Sequence, residues 1–152
     1  MKFILTKELG RLVKWLRILG FDAEYFNQDN LGSLIIQALR DERIILTRNQ
    51  HLPQARGLKI ILIQNEKIKE QVAEILKTLQ IKPDSERMFS RCILCNVELV
   101  EIAKDKVKDK VPAYVFKTQS NFITCPKCQR IYWSGTHWGN VTKTLEEIKW
   151  NS

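Results

Sequence analysis

Four cysteines carry the clearest chemistry in this 152-residue chain, set as Cys92-x2-Cys95 and Cys125-x2-Cys128 with 29 residues between the pairs. Each Cys-x2-Cys knuckle can wrap two thiolates around one side of a tetrahedral ion, so the set reads as a four-cysteine zinc ribbon. Zinc suits it because a filled d shell imposes no competing geometry and accepts soft thiolates. Disulfides, an iron-sulfur site and a redox dithiol are the alternatives. A bridge inside one knuckle is tight, and the N-terminus Met1-Lys2-Phe3-Ile4-Leu5 lacks the layout of a secretory signal. A closed thiolate site staples a fold and does not by itself define a function.

The second source of chemistry is positive charge. The chain carries a net charge of +8, with 14 Lys and Arg against 9 acids in residues 1–82 and 11 against 8 in residues 83–152. Such a surplus favours a polyanionic partner, most often nucleic acid. Lys7, Arg11, Lys14 and Arg17 recur at helical spacing opposite an apolar stripe, without acidic partners at i+4. They form either an RNA-facing row or a solvated helix face. Tyr132 and Trp133 either stack on unpaired bases or cover a thin core, and His137 is either an ordered polar group or an acid or phosphate contact. Lys104 to Lys110 alternates in charge, as a solvated loop or a phosphate-binding finger does.

Alternating strands and helices must position these groups. Lys2–Leu5, Asp22–Phe26, Arg43–Thr47 and Lys59–Ile63 read as strands. Helices are expected from Lys7 to Leu19, closed by Gly20; along Leu31, Leu34, Ile35, Ala38 and Leu39; and, capped by Asn65, along Ile68, Val72, Ile75, Leu76 and Leu79. This order implies a parallel sheet with flanking helices, whose ligand crevice lies beyond the strand ends, at Thr6-Lys7-Glu8 and Thr47-Arg48-Asn49. The polar stretch Lys82 to Arg87 separates an α/β domain over residues 1–82 from a ribbon domain over residues 88–152. In the ribbon, Val97–Ile102 and Ala113–Phe116 read as strands, and Val141, Leu145 and Ile148 mark a terminal helix. No run approaches a membrane span, so the expected protein is soluble and cytoplasmic.

In that order, Leu9-Gly10-Arg11-Leu12-Val13-Lys14-Trp15-Leu16-Arg17-Ile18-Leu19-Gly20-Phe21-Asp22, Leu46-Thr47-Arg48, the two knuckles, Val111-Pro112 and Tyr132-Trp133-x-Gly135-Thr136-His137 resemble the Mut-seven C-terminal ribonuclease domain family, a PIN-like domain fused to a zinc ribbon. The resemblance covers nearly the whole chain. It implies a nuclease acting on RNA, in which clustered carboxylates hold Mg2+ or Mn2+ to activate a water and stabilise the leaving oxygen. Where the family places two of those aspartates, this chain has Thr6 and Asn49. A third acidic position falls near Leu31 and Gly32, with Asp29 close by.

The favoured expectation is therefore an RNA-binding member whose catalytic metal site is degenerate, with Lys7, Arg11, Lys14, Arg17, Arg48, Tyr132, Trp133 and His137 on the RNA. The alternative is an active Mg2+- or Mn2+-dependent ribonuclease that uses Glu8 and Asp29 with a displaced acid such as Asp22 or Glu42.

Overall fold

Three short apolar runs with β-branched residues and the alternating run Asp22–Phe26, interleaved with amphipathic helices, form one parallel sheet. The computed structural model describes residues 1–133 and Glu147. Strands β1 (Lys2–Thr6), β2 (Asp22–Phe26), β3 (Ile44–Thr47) and β4 (Ile60–Leu62) lie in the order β2-β1-β3-β4, all parallel. Their period of two divides the side chains between two cores. Phe3, Leu5 and Leu46 join Leu12, Leu16, Val72 and Ile75 of helices α1 (Gly10–Ile18) and α3 (Ile68–Thr78). Ile4 and Ile45 instead meet Leu34 and Ala38 of α2 (Leu31–Arg40).

The fold is thus the expected parallel sheet flanked by helices. From β1 the chain moves outward to β2, then crosses back over β1 to β3, so the strand order reverses between β1 and β3. At such a reversal the departing loops separate and open a crevice at the strand C-termini. Thr6 and Thr47 end the two strands that flank it.

Local details depart from the expected pattern. The first helix begins as a 3-10 turn over Lys7–Leu9 and becomes α-helical at Gly10. Asn65 does not cap α3: Lys67 occupies that position. The Asn65 carbonyl accepts from Arg48 and Gln71, and its side chain donates to Glu74.

A second sheet, antiparallel and ordered β5-β6-β7, comprises β5 (Val100–Ile102), β6 (Phe122–Thr124) and β7 (Ile131–Trp133). Ala113–Phe116 is not a strand but the start of helix α4 (Ala113–Thr118). Pro112 suits that start because it has no N–H to lose, and its carbonyl accepts from the Phe116 N–H. The helical turn then buries Val115 against Val107 and Phe122, which a four-residue apolar run could not foretell. The expected Val97–Ile102 strand is shortened to β5, with Arg91 and Glu98 forming an isolated bridge. The charged stretch opens with a 3-10 turn, Lys104–Val107. The expected terminal helix carrying Val141, Leu145 and Ile148 lies outside the described residues. Among the described residues no helix is long and apolar enough to cross a membrane.

The first knuckle covers the edge strand β2, satisfying backbone groups that an open sheet edge would leave to solvent. The Asn96 carbonyl oxygen Oδ1 accepts from the Ala23 N–H at 3.0 Å, and its Nδ2 donates to Asp22 at 2.7 Å and Glu24 at 3.0 Å. Arg17 reaches the same corner, with Nε on the Ala23 carbonyl at 2.8 Å and Nη1 on the Ile93 carbonyl at 2.7 Å.

Candidate functional site

The strand reversal brings Thr6, Glu8, Asp29 and Asn49 to one shallow pocket of about 220 Å³, together with Lys7 and Gln28. At its base the Thr6 and Thr47 hydroxyls are 2.9 Å apart. Glu8 extends from the 3-10 turn so that its Oε1 accepts from Thr6 Oγ1 at 2.5 Å, from the Arg48 N–H at 2.9 Å and from Thr47 Oγ1 at 3.3 Å. Burial opposes its charge, but the bonds from Thr6, from Arg48 and from Thr47 outweigh that cost and hold the carboxyl below its ordinary value. Glu8 is therefore an ionised carboxylate with one oxygen already occupied by hydroxyls and an amide.

The other polar groups of the pocket are also engaged. Asp29 pairs with Lys7. The Asn49 side chain accepts from the His51 N–H at 2.9 Å, and the Asn49 N–H donates to Thr47 Oγ1 at 3.0 Å, which shapes the turn after β3. Arg48 turns away towards β4, where Nη1 donates to the Asn65 carbonyl at 2.5 Å.

The displaced acids do not join this pocket. Asp22 pairs with Lys2 in register, whereas Thr6 pairs with Phe26, so Asp22 lies at the other end of the sheet. There it accepts from Arg43 at 2.7 Å and from Asn96. Glu42 precedes β3 and lines a cavity at that same end. Parallel strands carry their N- and C-terminal residues to opposite ends, and this separates the acids.

Two members of the expected RNA-facing set are interior. Arg17 is only 7% exposed, because the knuckle lands on the part of α1 that carries it. Tyr132 is 3% exposed, and its hydroxyl lies 3.2 Å from Cys92 Sγ. Trp133 is half-buried, edge-on to Phe122. Arg11 and Lys14 remain exposed, whereas His137 lies outside the described residues. Thr47 lies in the expected crevice, whereas Tyr25 and Asn96 are not among the expected site residues. Tyr25 donates to the Lys7 carbonyl at 2.6 Å, and its place at the C-terminal end of β2 was its one signal.

The four cysteines form the other site. Their sulfurs all lie within 4.8 Å of one another, and all four thiols are unbridged. A tetrahedron with metal–sulfur bonds of about 2.3 Å has edges of about 3.8 Å; Cys92 and Cys128 stand 3.7 Å apart. The two knuckles repeat one backbone pattern. The Asn96 N–H donates to the Cys92 carbonyl at 3.0 Å and the Gln129 N–H to the Cys125 carbonyl at 2.9 Å. Asn96 and Gln129 both hold φ in the left-handed region, at 62° and 68°. The N–H groups of Lys127 and Cys128 point at Cys125 Sγ, both at 3.4 Å, as donors do towards a thiolate.

Burial opposes ionisation of Cys92, yet the Tyr132 hydroxyl and the Cys95 and Leu94 amides lower it to about 7. Cys95 is pushed up to about 12 by desolvation and then by the neighbouring sulfurs of Cys128, Cys125 and Cys92. Crowded sulfurs that resist sharing negative charge are matched to a cation. Among the described residues this is the one cluster of three or more His, Cys, Asp or Glu side chains close enough to hold an ion.

A helix-flanked parallel sheet with a polar crevice at its strand reversal, joined to a four-cysteine clasp, defines an α/β protein with a cysteine cluster consistent with a zinc ribbon. The family model for the Mut7-C RNAse domain matches residues 1–145, and the chain belongs to that family. No curated protein and no solved structure matches it significantly.

Proposed function

We propose that the protein binds RNA through a ribonuclease framework whose catalytic metal site no longer works. Family membership supports the ribonuclease-like, RNA-related part. The observation that carries the rest is the crevice itself: hydroxyls at Thr6 and Thr47, an amide at Asn49, and two carboxylates, Glu8, whose Oε1 takes three donors, and Asp29, which is paired with Lys7. A hard dication draws its affinity from several anionic oxygens, and replacing two aspartates removes about two charges from that set. The competing reading, a nuclease using Glu8 and Asp29, draws on their shared pocket, but Lys7 already neutralises Asp29.

The cysteine clasp is read as a structural zinc site, since four thiolates leave no open position for a water or substrate. Zinc there would cross-link the two knuckles. The separate parallel and antiparallel sheets support a division into units over residues 1–82 and 88–152. Of the basic row, exposed Arg11 and Lys14 are the residues best placed for phosphates.

The test is incubation of the purified chain with unstructured RNA and Mg2+ or Mn2+. Retained binding without metal-dependent cleavage is expected; cleavage abolished by Glu8→Ala with Asp29→Ala would overturn the reading. Thr6→Asp with Asn49→Asp should create a calorimetric Mg2+ signal that the parent lacks.

A further inference from the structure

We propose that single-stranded RNA crosses the protein over the tip of the first cysteine knuckle, joining a groove beside α1 to a second groove on the ribbon. This path rests on the RNA-binding reading above and specifies its surface. The first groove, about 440 Å³, runs between α1 and the knuckle, with Arg11, Lys14 and Tyr25 on its walls. The second, about 640 Å³, is walled by Lys110, Arg130 and Trp133. Both grooves share Ile93 and Leu94, so the knuckle tip is a ridge between two adjoining troughs.

Charge and shape specify the occupant. Arg11, Lys14, Lys110 and Arg130 are all exposed, and neither groove has a carboxylate among its lining residues. Clustered cations without neutralising acids suit a phosphate backbone. Large apolar groups stand exposed among them: Leu94 is 52% exposed on the ridge, and Tyr25 is 40% exposed beside it. Tyr25 is held by its hydrogen bond to the Lys7 carbonyl, so its ring offers a fixed face. A fixed aromatic face between phosphate contacts fits unpaired bases, whereas a duplex keeps its bases stacked and out of reach. Arg17, tied to the carbonyls of Ile93 and Leu94, keeps the ridge in place against α1.

Fluorescence anisotropy on the full chain with a labelled, uridine-rich single strand of about twelve nucleotides tests this path. Arg11→Glu with Lys14→Glu, and separately Lys110→Glu with Arg130→Glu, should each weaken binding by about tenfold or more, and each should reduce the salt slope by about 1.4. Lys59→Glu with Lys67→Glu makes the same charge change beside β4, at the opposite edge of the sheet from β2, and should weaken binding less than about threefold. Tyr25→Ala should cost about tenfold and Tyr25→Phe less than about threefold, since Phe keeps the stacking ring and loses only the hydrogen bond that fixes it.

If the parent binds RNA but both groove pairs behave like the β4 pair, the path is wrong and the RNA-binding reading survives. Sensitivity to charge with no effect of Tyr25→Ala also overturns the path, because an acidic protein surface would do the same. A parent that binds no RNA removes both readings.

Discussion

At Asp22, burial opposes ionisation, but hydrogen bonds from Arg43 and Asn96 outweigh it and keep the carboxyl below its ordinary value of 3.8. Its partner Arg43 has a side chain only 10% exposed, so the pair matters more than a surface contact does. Asp22→Ala should cost about 2 kcal/mol in urea denaturation, less than a fully enclosed pair because Asp22 keeps some solvent contact. The pH dependence has a definite sign. A folded pKa below the unfolded one contributes stability that is present above the ordinary value and is lost as pH falls through the lowered folded value. Midpoints measured down the acid limb should therefore fall less steeply for Asp22→Asn than for the parent. Equal limbs would assign the acid sensitivity elsewhere, for example to Glu8, whose carboxyl is lowered in the same direction.

Elements are joined here by tight stops and shared edges. Gly20 ends the first helix at φ +93°, and a Cβ built there would lie 2.4 Å from the Arg87 carbonyl oxygen. Both the left-handed backbone and the contact oppose any side chain. Gly20→Ala should cost about 3 kcal/mol in equilibrium denaturation, more than the conformational penalty alone. The same closeness lets the chain after α3 pass beneath α1, where the Phe89 N–H donates to the Ile18 carbonyl at 2.8 Å. Helix α1 thereby serves the parallel sheet with its apolar face and the ribbon with its C-terminal end.

Across the whole molecule, the clasp loop and the parallel sheet are mechanically linked through Arg17 and Asn96. The Ile93 and Leu94 carbonyls that receive Arg17 sit inside the Cys92–Cys95 loop, so whatever orders that loop also supports α1. With zinc in the clasp as proposed, a chelator should lower the melting temperature of the entire chain by about 10 °C or more, not only of the ribbon signal. In Arg17→Met the chelator-induced shift of the α/β transition should shrink, with the Asn96 bonds to β2 carrying the remainder. A parent in which chelation leaves the α/β transition unmoved would refute the linkage.

Much was legible in the sequence because it depends on local geometry. Cysteine spacing specified the clasp, stripes at three- and four-residue steps specified α1, α2 and α3, and short apolar runs together with the alternation of Asp22–Phe26 specified the parallel strands. Neutral residues at positions 6 and 49 were equally visible. Ala113–Phe116 was ambiguous, since so short an apolar run fits either period and its turn was decided by burial of Val115. Only the tertiary structure could separate Arg17 from Arg11 and Lys14, for they share a helix and differ in what arrives 76 residues later. The capture of Glu8 by Thr6, Thr47 and Arg48 likewise depends on β1 and β3 lying side by side. Contacts between distant segments follow from strand order and packing, which no spacing along the chain encodes.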